Sequence, residues 1–440
     1  ITGIGHLRKL NALTANESQQ QKDIMAIVKK ALPYLDKKIK EEYDQLIKNK
    51  IKLNQDNLSY TAIQYLYMRS FFTEYEIPKT SAKAFIYYTQ QSEKYWLQQN
   101  KYMQAMIALS NHRLLPLSPN EKKIKNTAHD IIKSLKENAI NNEEFGMYWK
   151  DWTNRGWFWH QAPIESQALM IEAFTEIDKN TNTIDDLKTW LLKQKQTQNW
   201  GTTKATAEAC YALLLNGSNW LAEEKEVTIN LGSTTIKSDN EEAGTGYFKE
   251  KIEGKDVKPE MGNISVSINT PTSKPLNLST SWGSVYWQYF EDLDKITSAE
   301  TPLKLVKKLF VERNTDKGPV LDALADGAQL KVGDKIKVRI ELRVDRDMEY
   351  VHMKDMRAAC MEPVNVISGY KYQGGLGYYE STKDANTNFF FSWLIKGTYV
   401  FEYPMFVTHE GNFSNGITTI QCMYAPEFTS HSEGMRVTVK

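Results

Sequence analysis

The chain has 440 residues, of which 41% are apolar and 25% charged, and its formal net charge is +1. This length allows two or three domains with separate cores. The balanced charge argues against nucleic acid or an anionic membrane as a partner. No run approaches the roughly 20 apolar residues of a membrane-spanning helix.

The first residues, Ile1 to Gly5, include no initiator methionine and no signal-peptide pattern. We therefore expect the sequence to be a piece of a longer protein. Any export signal would then lie upstream of residue 1.

Residues 1–222 show the apolar spacing of amphipathic helices. Pro33 is expected to kink or split the first long helix. Ser118-Pro119-Asn120-Glu121 predicts a capped helix start, and Pro163 and Thr202 or Thr203 begin later helices. Short turns without strands between the helices predict stacked helical hairpins. The predicted helices cover Ile24 to Ile39, Ile63 to Phe71, Phe85 to Trp96, Tyr102 to Leu109, Ile124 to Leu135, Pro163 to Phe174, Thr183 to Leu191, and Thr202 to Asn216.

The apolar period changes from helical to alternating near residue 225. Val227 to Lys237 predicts a hairpin that turns at Gly232-Ser233. Ile264 to Ile268 alternates again, and Ser284 to Phe290 predicts an aromatic strand. We expect a small β domain over residues 223–298.

Longer strands with glycine-rich turns fill residues 299–440 and predict an antiparallel β-sandwich. Lys335 to Val344 is the clearest, with a strict two-residue alternation. The other predicted strands are Leu303 to Phe310, Tyr350 to Met353, Asn388 to Phe391, Thr398 to Tyr403, Thr418 to Met423, and Met435 to Val439.

Three cysteines, Cys210, Cys360 and Cys422, form neither a disulfide framework nor a C-x-x-C pair. Cys210 lies mid-helix among alanines, which predicts a buried small hydrophobic side chain. Cys360 and Cys422 fall in one β domain and could be bonded across strands or remain free.

The order of helical array, small β domain and terminal sandwich resembles the C-terminal part of alpha-2-macroglobulin family proteins, in particular the bacterial branch. The most specific motifs lie in the sandwich. They are Val332-Gly333-Asp334, Asp345 to Tyr350, Asp355 to Ala358, Glu362 to Val364, and Met423 to Glu427. Further matches are Trp157 to Glu165, Gly244 to Phe248, and Pro259 to Gly262.

The resemblance implies three domains. Residues 1–222 would be an α/α toroid, similar to a thioester domain and incomplete at its N-terminus. Residues 223–298 would be a CUB-like domain into which the toroid is inserted, and residues 299–440 a macroglobulin or receptor-binding sandwich.

Thioester-bearing members of this family carry Cys-x-Glu-Gln, in which the thiol is acylated by the glutamine side chain. None of the three cysteines here has this context. Cys360-Met361-Glu362-Pro363 is nearest in spelling, but Pro363 stands where glutamine is required. The motif could lie upstream or be absent from the whole protein.

An enzyme of the toroid cavity, acting on carbohydrate or isoprenoid substrates, is an alternative that needs gathered carboxylates. Asp185-Asp186 is better explained as a helix N-terminus. Nothing in their spacing singles out Glu144, Asp151 or Glu165.

Other potential sites also have structural explanations. His160 could be a general base but is more typical of a hydrogen-bonded structural histidine. The tryptophans at 149, 157, 159 and 200 could form a sugar platform, although core packing explains them better. Gly374 to Gly377 indicates a β-turn and not a phosphate loop. We predict no catalytic, cofactor-binding or metal-binding residue and no cofactor.

The resemblance therefore implies a non-enzymatic endopeptidase inhibitor that captures a protease by changing shape. Its partners would be proteases, bound by the full-length protein, and upstream domains of the same chain. Its location would be periplasmic, cell-surface or secreted. An adhesive or scaffolding module is a third hypothesis, which an exposed apolar patch on the sandwich would support.

Overall fold

The computed structural model describes residues 1–10, 19–114, 121–153, 162–215, 226–238, 247–269 and 283–440. They form two compact units. The N-terminal unit comprises Ile1–Lys193 and Trp200–Ser281, and the C-terminal unit Gln194–Asn199 and Trp282–Lys440. The fold mixes α and β structure, with a β-rich C-terminal region.

Helices dominate the N-terminal unit, as predicted. Residues with helical spacing form one continuous core, which includes Leu32, Leu66, Ile107 and Phe174. The helices of the described chain are α1 (Thr2–Lys9), α2 (Gln19–Lys48), α3 (Tyr60–Arg69), α4 (Lys79–Tyr95), α5 (Lys101–Leu114), α6 (Glu121–Glu137), α7 (Pro163–Ala173), α8 (Thr181–Thr197) and α9 (Thr203–Leu214).

The predicted helix starts have mixed outcomes. Pro163 occupies the first turn of α7, and the Thr202 side chain accepts a hydrogen bond from the Ala205 N–H, so both of these starts are confirmed. Of the two outcomes predicted for Pro33, a kink or a split, the split is wrong, because α2 continues through this residue. Ser118 to Asn120 lie outside the described residues.

A short hairpin between α6 and α7 contradicts the prediction that no strands separate the helices. Strand β1 (Ile140–Asn142) pairs antiparallel with β2 (Gly146–Tyr148). Gly146 has φ +71°, and a Cβ atom there would lie 2.1 Å from the Asp186 carbonyl oxygen of α8. The hairpin can approach α8 only because this residue has no side chain.

Gly146→Ala should therefore lower the free energy of unfolding by about 2 kcal/mol or more, through backbone strain and steric overlap together. Gly201→Ala is the matched control, since Gly201 has φ +73° and a Cβ atom there would meet nothing within 4 Å. The free energy of unfolding of the control should fall by only about 1 kcal/mol, because backbone strain acts there without steric overlap. Equal losses in urea unfolding would contradict the close approach at Gly146.

The small β region contains a three-stranded sheet in the order β4-β3-β5. Strands β3 (Glu226–Leu231) and β4 (Thr234–Lys237) form the predicted hairpin, with Gly232 at φ +57°. Strand β5 (Ile264–Asn269) is also confirmed, and every one of its residues is exposed.

The predicted aromatic strand from Ser284 to Phe290 is wrong, because this segment forms no strand and its side chains are exposed. Tyr289 is 66% exposed and Phe290 fully exposed. The aromatic and apolar residues of this segment predicted a strand. A strand also needs a neighbouring strand that forms hydrogen bonds with its backbone N–H and C=O groups. Among the described residues no such neighbour pairs with it.

Two antiparallel sheets in the C-terminal unit share one core. Their strand orders are β12-β13-β14-β10-β17-β18 and β11-β15-β9-β6-β7. Phe389 of the first sheet lies 5.5 Å from Phe401 of the second, between ring centroids. The strands are β6 (Leu303–Thr315), β7 (Gly318–Ala323), β8 (Ala328–Leu330), β9 (Lys335–Val344), β10 (Met348–Met356), β11 (Met361–Pro363), β12 (Gly369–Gln373), β13 (Leu376–Thr382), β14 (Asn386–Leu394), β15 (Gly397–Val407), β16 (Gly411–Asn415), β17 (Thr418–Cys422), β18 (Thr429–His431) and β19 (Met435–Val439).

All seven strands predicted for this region are present. A third sheet, ordered β16-β19-β8, contains one parallel pair, between β19 and β8, which the antiparallel prediction did not include. Gly374 and Gly375, with φ of +59° and +81°, form the predicted turn between β12 and β13.

Candidate functional site

The tryptophans and the histidine singled out from the sequence do not form a described site. Trp157, Trp159 and His160 lie outside the described residues. Trp149 is fully buried, its indole N–H donates to the Leu135 carbonyl at 2.9 Å, and its ring stacks on Trp152. A buried ring cannot stack on a sugar, so core packing is confirmed for Trp149. Trp200 is half-buried.

Asp185 and Asp186 do not mark the start of α8. The helix begins at Thr181, and the Asn180 side chain accepts a hydrogen bond from the Thr183 N–H at 3.0 Å. The two aspartates lie beyond the first turn, so their explanation as an acidic helix N-terminus is wrong. Burial raises the pKa of Asp185.

The other carboxylates considered from the sequence have different surroundings. Glu144 is exposed, exposed Asp151 pairs with Lys101, and Glu165 is buried in α7. None of the contacts just described links the three into an acid–base pair.

A buried polar cluster that the sequence did not single out lies in the N-terminal unit. Its centre is the carboxylate of Glu172 in α7, which is only 1% exposed. We call it the Glu172 cluster, and its members are His6, Tyr67, Arg113, Glu172, Glu176, Glu208 and Tyr211.

Three donors meet the Glu172 carboxylate. Tyr67 donates its hydroxyl hydrogen, Tyr211 donates at 2.8 Å, and Arg113 donates from Nη2. Arg113 also binds Glu176, with Nε 2.9 Å from Oε2. Such a set of partners compensates the cost of burying these charges.

His6 of α1 connects this centre to Glu208 of α9. Its Nε2 lies 3.1 Å from the Tyr67 hydroxyl, its Nδ1 lies 3.6 Å from Glu208 Oε2, and its ring stacks on Tyr211 with centroids 3.8 Å apart. Burial lowers the pKa of His6 to about 4 and raises the pKa of Glu208 to about 7. At neutral pH the imidazole is therefore uncharged, and Glu208 is about half protonated.

These two groups give the N-terminal unit opposing pH dependences. The folded state disfavours ionised Glu208, so folding gains stability as pH falls from about 7 towards 4.5, the ordinary pKa of a glutamate. It also disfavours protonated His6, so folding loses stability as pH falls from 6.5, the ordinary pKa of a histidine, towards about 4.

Glu208→Gln should remove the buried charge and stabilise the unit at pH 8 by about 1–3 kcal/mol. Because only the His6 dependence then remains of the two, the variant should lose stability more steeply than wild type between pH 7 and 5. Urea unfolding at several pH values measures both effects. If the stability of the variant and of wild type changed with pH in parallel, the raised pKa of buried Glu208 would be contradicted.

An open cavity of about 460 Å³ lies beside the cluster. Its charged lining residues pair with one another, Arg8 with Glu74 at 2.7 Å and Lys9 with Glu176 at 3.1 Å. The lining is formed by Gly5, Arg8, Lys9, Ser70, Phe71, Thr73, Glu74, His112, Arg113 and Glu176. These two ion pairs link α1 to Glu74 and Glu176 of the same unit.

A second buried ion pair stabilises the C-terminal unit. Asp355 of β10, fully buried, lies 2.7 Å from Lys307 Nζ of β6 and accepts from Thr418 and Tyr403. Lys307 also donates to the carbonyls of Met356 and Gly416. Asp355 belongs to a motif that carried the family resemblance, and its contacts give that motif a structural role.

All three cysteines are free thiols in this structure. Cys360 and Cys422 are buried, and burial raises the pKa of both. Cys210 is exposed, so its predicted burial is wrong. Cys210 is not among the buried residues of α9, which are Ala205, Ala209, Tyr211, Ala212 and Leu213.

Two further features are absent from the described ranges. No group of three histidine, cysteine, aspartate or glutamate side chains is arranged to hold a metal ion there. No helix in the same ranges is long and apolar enough to cross a membrane.

Solved structures similar to this chain come from bacterial alpha-2-macroglobulins. Trypsin-activated alpha-2-macroglobulin from Escherichia coli is 10% identical, with a TM-score of 0.42, over 88% of this chain and 28% of that one. The elastase-activated Escherichia coli protein is 11% identical, with a TM-score of 0.39, over 88% and 36%. The Y1175G mutant of Salmonella alpha-2-macroglobulin is 11% identical, with a TM-score of 0.27, over 88% of this chain and 26% of that one. The chain thus spans well under half of each of these three chains.

No curated protein sequence matches the chain. A family comparison matches residues 303–427 to the bacterial alpha-2-macroglobulin MG10 domain. The five sandwich motifs that carried the resemblance all fall inside this range. Residues 303–427 therefore match an MG10 domain of bacterial alpha-2-macroglobulins, the family that the sequence motifs resemble.

Proposed function

We propose that this chain serves in an endopeptidase inhibitor that traps proteases by changing shape, and that it is not itself an enzyme. The MG10 match over residues 303–427 is the observation that carries the proposal. In the full-length protein, a target protease would cleave a bait segment upstream of this chain. The resulting rearrangement would enclose the protease.

The proposed division of labour follows the domain boundaries inferred from the sequence. Residues 1–222 would form a thioester-domain-like α/α toroid, residues 223–298 a CUB-like domain, and residues 299–440 the terminal macroglobulin-like domain. The helical core of the N-terminal unit supports the first assignment. The three-stranded sheet of β3, β4 and β5 supports the second.

Upstream domains of the same protein are the proposed structural partners. The exposed aromatic side chains of Ser284 to Phe290, and the exposed Ile264, Val266 and Ile268 of β5, support this proposal. Apolar side chains in such number favour burial against another surface. If the toroid is inserted in a CUB-like domain, the strands that cover these exposed segments would precede the toroid in the full-length protein.

The proposed setting is the periplasm, the cell surface or the extracellular medium, where such an inhibitor would meet foreign proteases. The carbohydrate or isoprenoid enzyme gains no support from the Glu172 cluster, because both Glu172 and Glu176 bind Arg113. A cavity enzyme would need such carboxylates available to a substrate or a metal.

Protease capture can be tested on the full-length protein with a panel of endopeptidases. We expect loss of cleavage of a large protein substrate after the inhibitor itself has been cut. The 440-residue chain alone is the control, and it should not inhibit, because it would lack the bait segment. Full protease activity in every mixture, despite cleavage of the inhibitor, would overturn the proposal.

A further inference from the structure

The outer face of the six-stranded sheet in the C-terminal unit carries a row of aromatic side chains. Tyr370 of β12 lies opposite Tyr379 of β13. Tyr379 lies opposite Phe390 of β14, which in turn lies opposite His352 of β10. Residues directly opposite each other in an antiparallel sheet share a face, so the four rings form one row across four adjacent strands. We call it the aromatic row, and its rings repeat at the strand spacing of about 4.8 Å.

Contacts between the rings hold the aromatic row in place. Tyr370 meets Tyr379 edge to face at 5.0 Å between centroids, and Phe390 and His352 stack at 4.7 Å. His352 Nε2 lies 2.9 Å from Asn388 Oδ1, so a hydrogen bond also fixes the plane of the imidazole. The rings are therefore ordered before a ligand arrives, which lowers the entropic cost of binding one.

The aromatic row is nevertheless open to solvent. Tyr370 is 88% exposed and Phe390 is 45% exposed. Tyr372, two residues further along β12 and on the same face, is 79% exposed. Tyr370 and Tyr372 thus lie about 7 Å apart along the strand, with most of each ring uncovered. Exposed apolar side chains that are grouped in this way mark a binding face.

The face around the aromatic row is almost uncharged. Among the described residues that face outward from β10, β12, β13 and β14, Lys354 is the only lysine, arginine, aspartate or glutamate. Strand β9 of the other large sheet, by contrast, turns five such residues outward: Lys335, Lys337, Arg339, Glu341 and Arg343. A sheet face that meets only water is usually charged like that of β9, so the aromatic face is adapted to a partner.

An uncharged polysaccharide has the chemistry that fits this face. The C–H groups on one side of a sugar ring pack on an aromatic ring, and its hydroxyls bond to neutral polar side chains. Gln421 of β17 lies opposite His352 and continues the row with such a side chain.

Other partners would find too little charge on this face. A nucleic acid or an anionic membrane requires a basic surface, which one lysine does not provide. A protein is about 25% charged, so a domain that docked here would bury charges for which this face offers no partners. The low charge therefore favours a polysaccharide over an upstream domain of the same protein.

We propose that the aromatic row binds an uncharged polysaccharide, with sugar rings stacked on Tyr370, Tyr372 and Phe390. Tyr379 and His352 hold two of these rings in position through their contacts with Tyr370 and Phe390. This binding gives the chain an adhesive activity that does not depend on protease capture.

Native affinity electrophoresis tests this binding, with β-glucan, mannan, galactomannan or xylan in the gel. At least one of these neutral polysaccharides should retard the 440-residue chain. Tyr370→Ala and Tyr372→Ala should each weaken binding about tenfold, because each removes one stacked ring. Tyr372→Phe keeps the ring and should bind within about twofold of wild type.

Phe390→Ala and Phe406→Ala form a matched pair. The two side chains are 45% and 43% exposed, but Phe406 lies on the outer face of the other large sheet. Phe390→Ala should weaken binding, and Phe406→Ala should leave it unchanged. The full-length protein should be retarded like the 440-residue chain, because a face covered by an upstream domain could not bind.

Three results would overturn the proposal. The first is that none of the four polysaccharides retards the 440-residue chain. The second is that Phe390→Ala and Phe406→Ala change the retardation equally. The third is retardation of the 440-residue chain but not of the full-length protein, which would identify the face as an interface between domains.

Discussion

Arg113→Met should lower the free energy of unfolding of the N-terminal unit by about 3–5 kcal/mol. The substitution leaves Glu172 buried without the cation that compensates its charge. Arg113 and Glu172 side chains are only 5% and 1% exposed, so water cannot replace the lost partner. The two tyrosine hydroxyls would remain, but neither carries a charge.

Hydrogen exchange of the α5 and α7 amides measures this loss within its own unit, which matters because two units need not unfold together. Lys40→Met is the matched control, since its pair with Asp44 lies on the surface of α2 and is expected to contribute under about 1 kcal/mol. Adding Glu172→Gln to Arg113→Met should recover part of the stability. Equal protection of α5 and α7 in Arg113→Met and Lys40→Met would contradict the role of the cluster.

Lys307→Met should destabilise the C-terminal unit by a similar amount, about 3–5 kcal/mol, because it leaves the fully buried Asp355 without its cation. It also removes the donor to the Met356 and Gly416 carbonyls. Faster exchange of the β10 amides, from Met348 to Met356, would report the loss.

Lys304→Met provides the comparison on the same strand. Lys304 is 58% exposed and pairs with Glu300 at the surface, so its loss should change stability by less than about 1 kcal/mol. Equal exchange of the β10 amides in Lys307→Met and Lys304→Met would contradict the stabilising role of the Lys307–Asp355 pair.

Elements with a strong local period could be predicted from the sequence. Strand β9 alternates strictly because one of its faces packs on the shared core, and every second residue from Ile336 to Val344 is buried. The turn at Gly374-Gly375 was also predictable, because few residues other than glycine adopt two consecutive positive φ angles.

Features that depend on distant partners could not be predicted in this way. Ser284 to Phe290 has the period of a strand, yet nothing in a local pattern shows whether a neighbour is present to pair with it. Cys210 lies among alanines, but which alanine face of α9 is buried depends on the other helices.

The Glu172 cluster shows the same limit. Glu172 lies within the largely apolar segment from Ile164 to Phe174, and a buried carboxylate requires a cation. That cation, Arg113, lies 59 residues earlier in the chain. Sequence spacing gives no means of joining the two.

Protease capture is the central claim, and its most direct measurement is the size of the full-length protein before and after reaction with an endopeptidase. Small-angle scattering and size-exclusion chromatography should show that bait cleavage changes the radius of gyration and that the protease co-elutes with the cleaved protein. A cleaved protein with an unchanged radius and no retained protease would contradict the account.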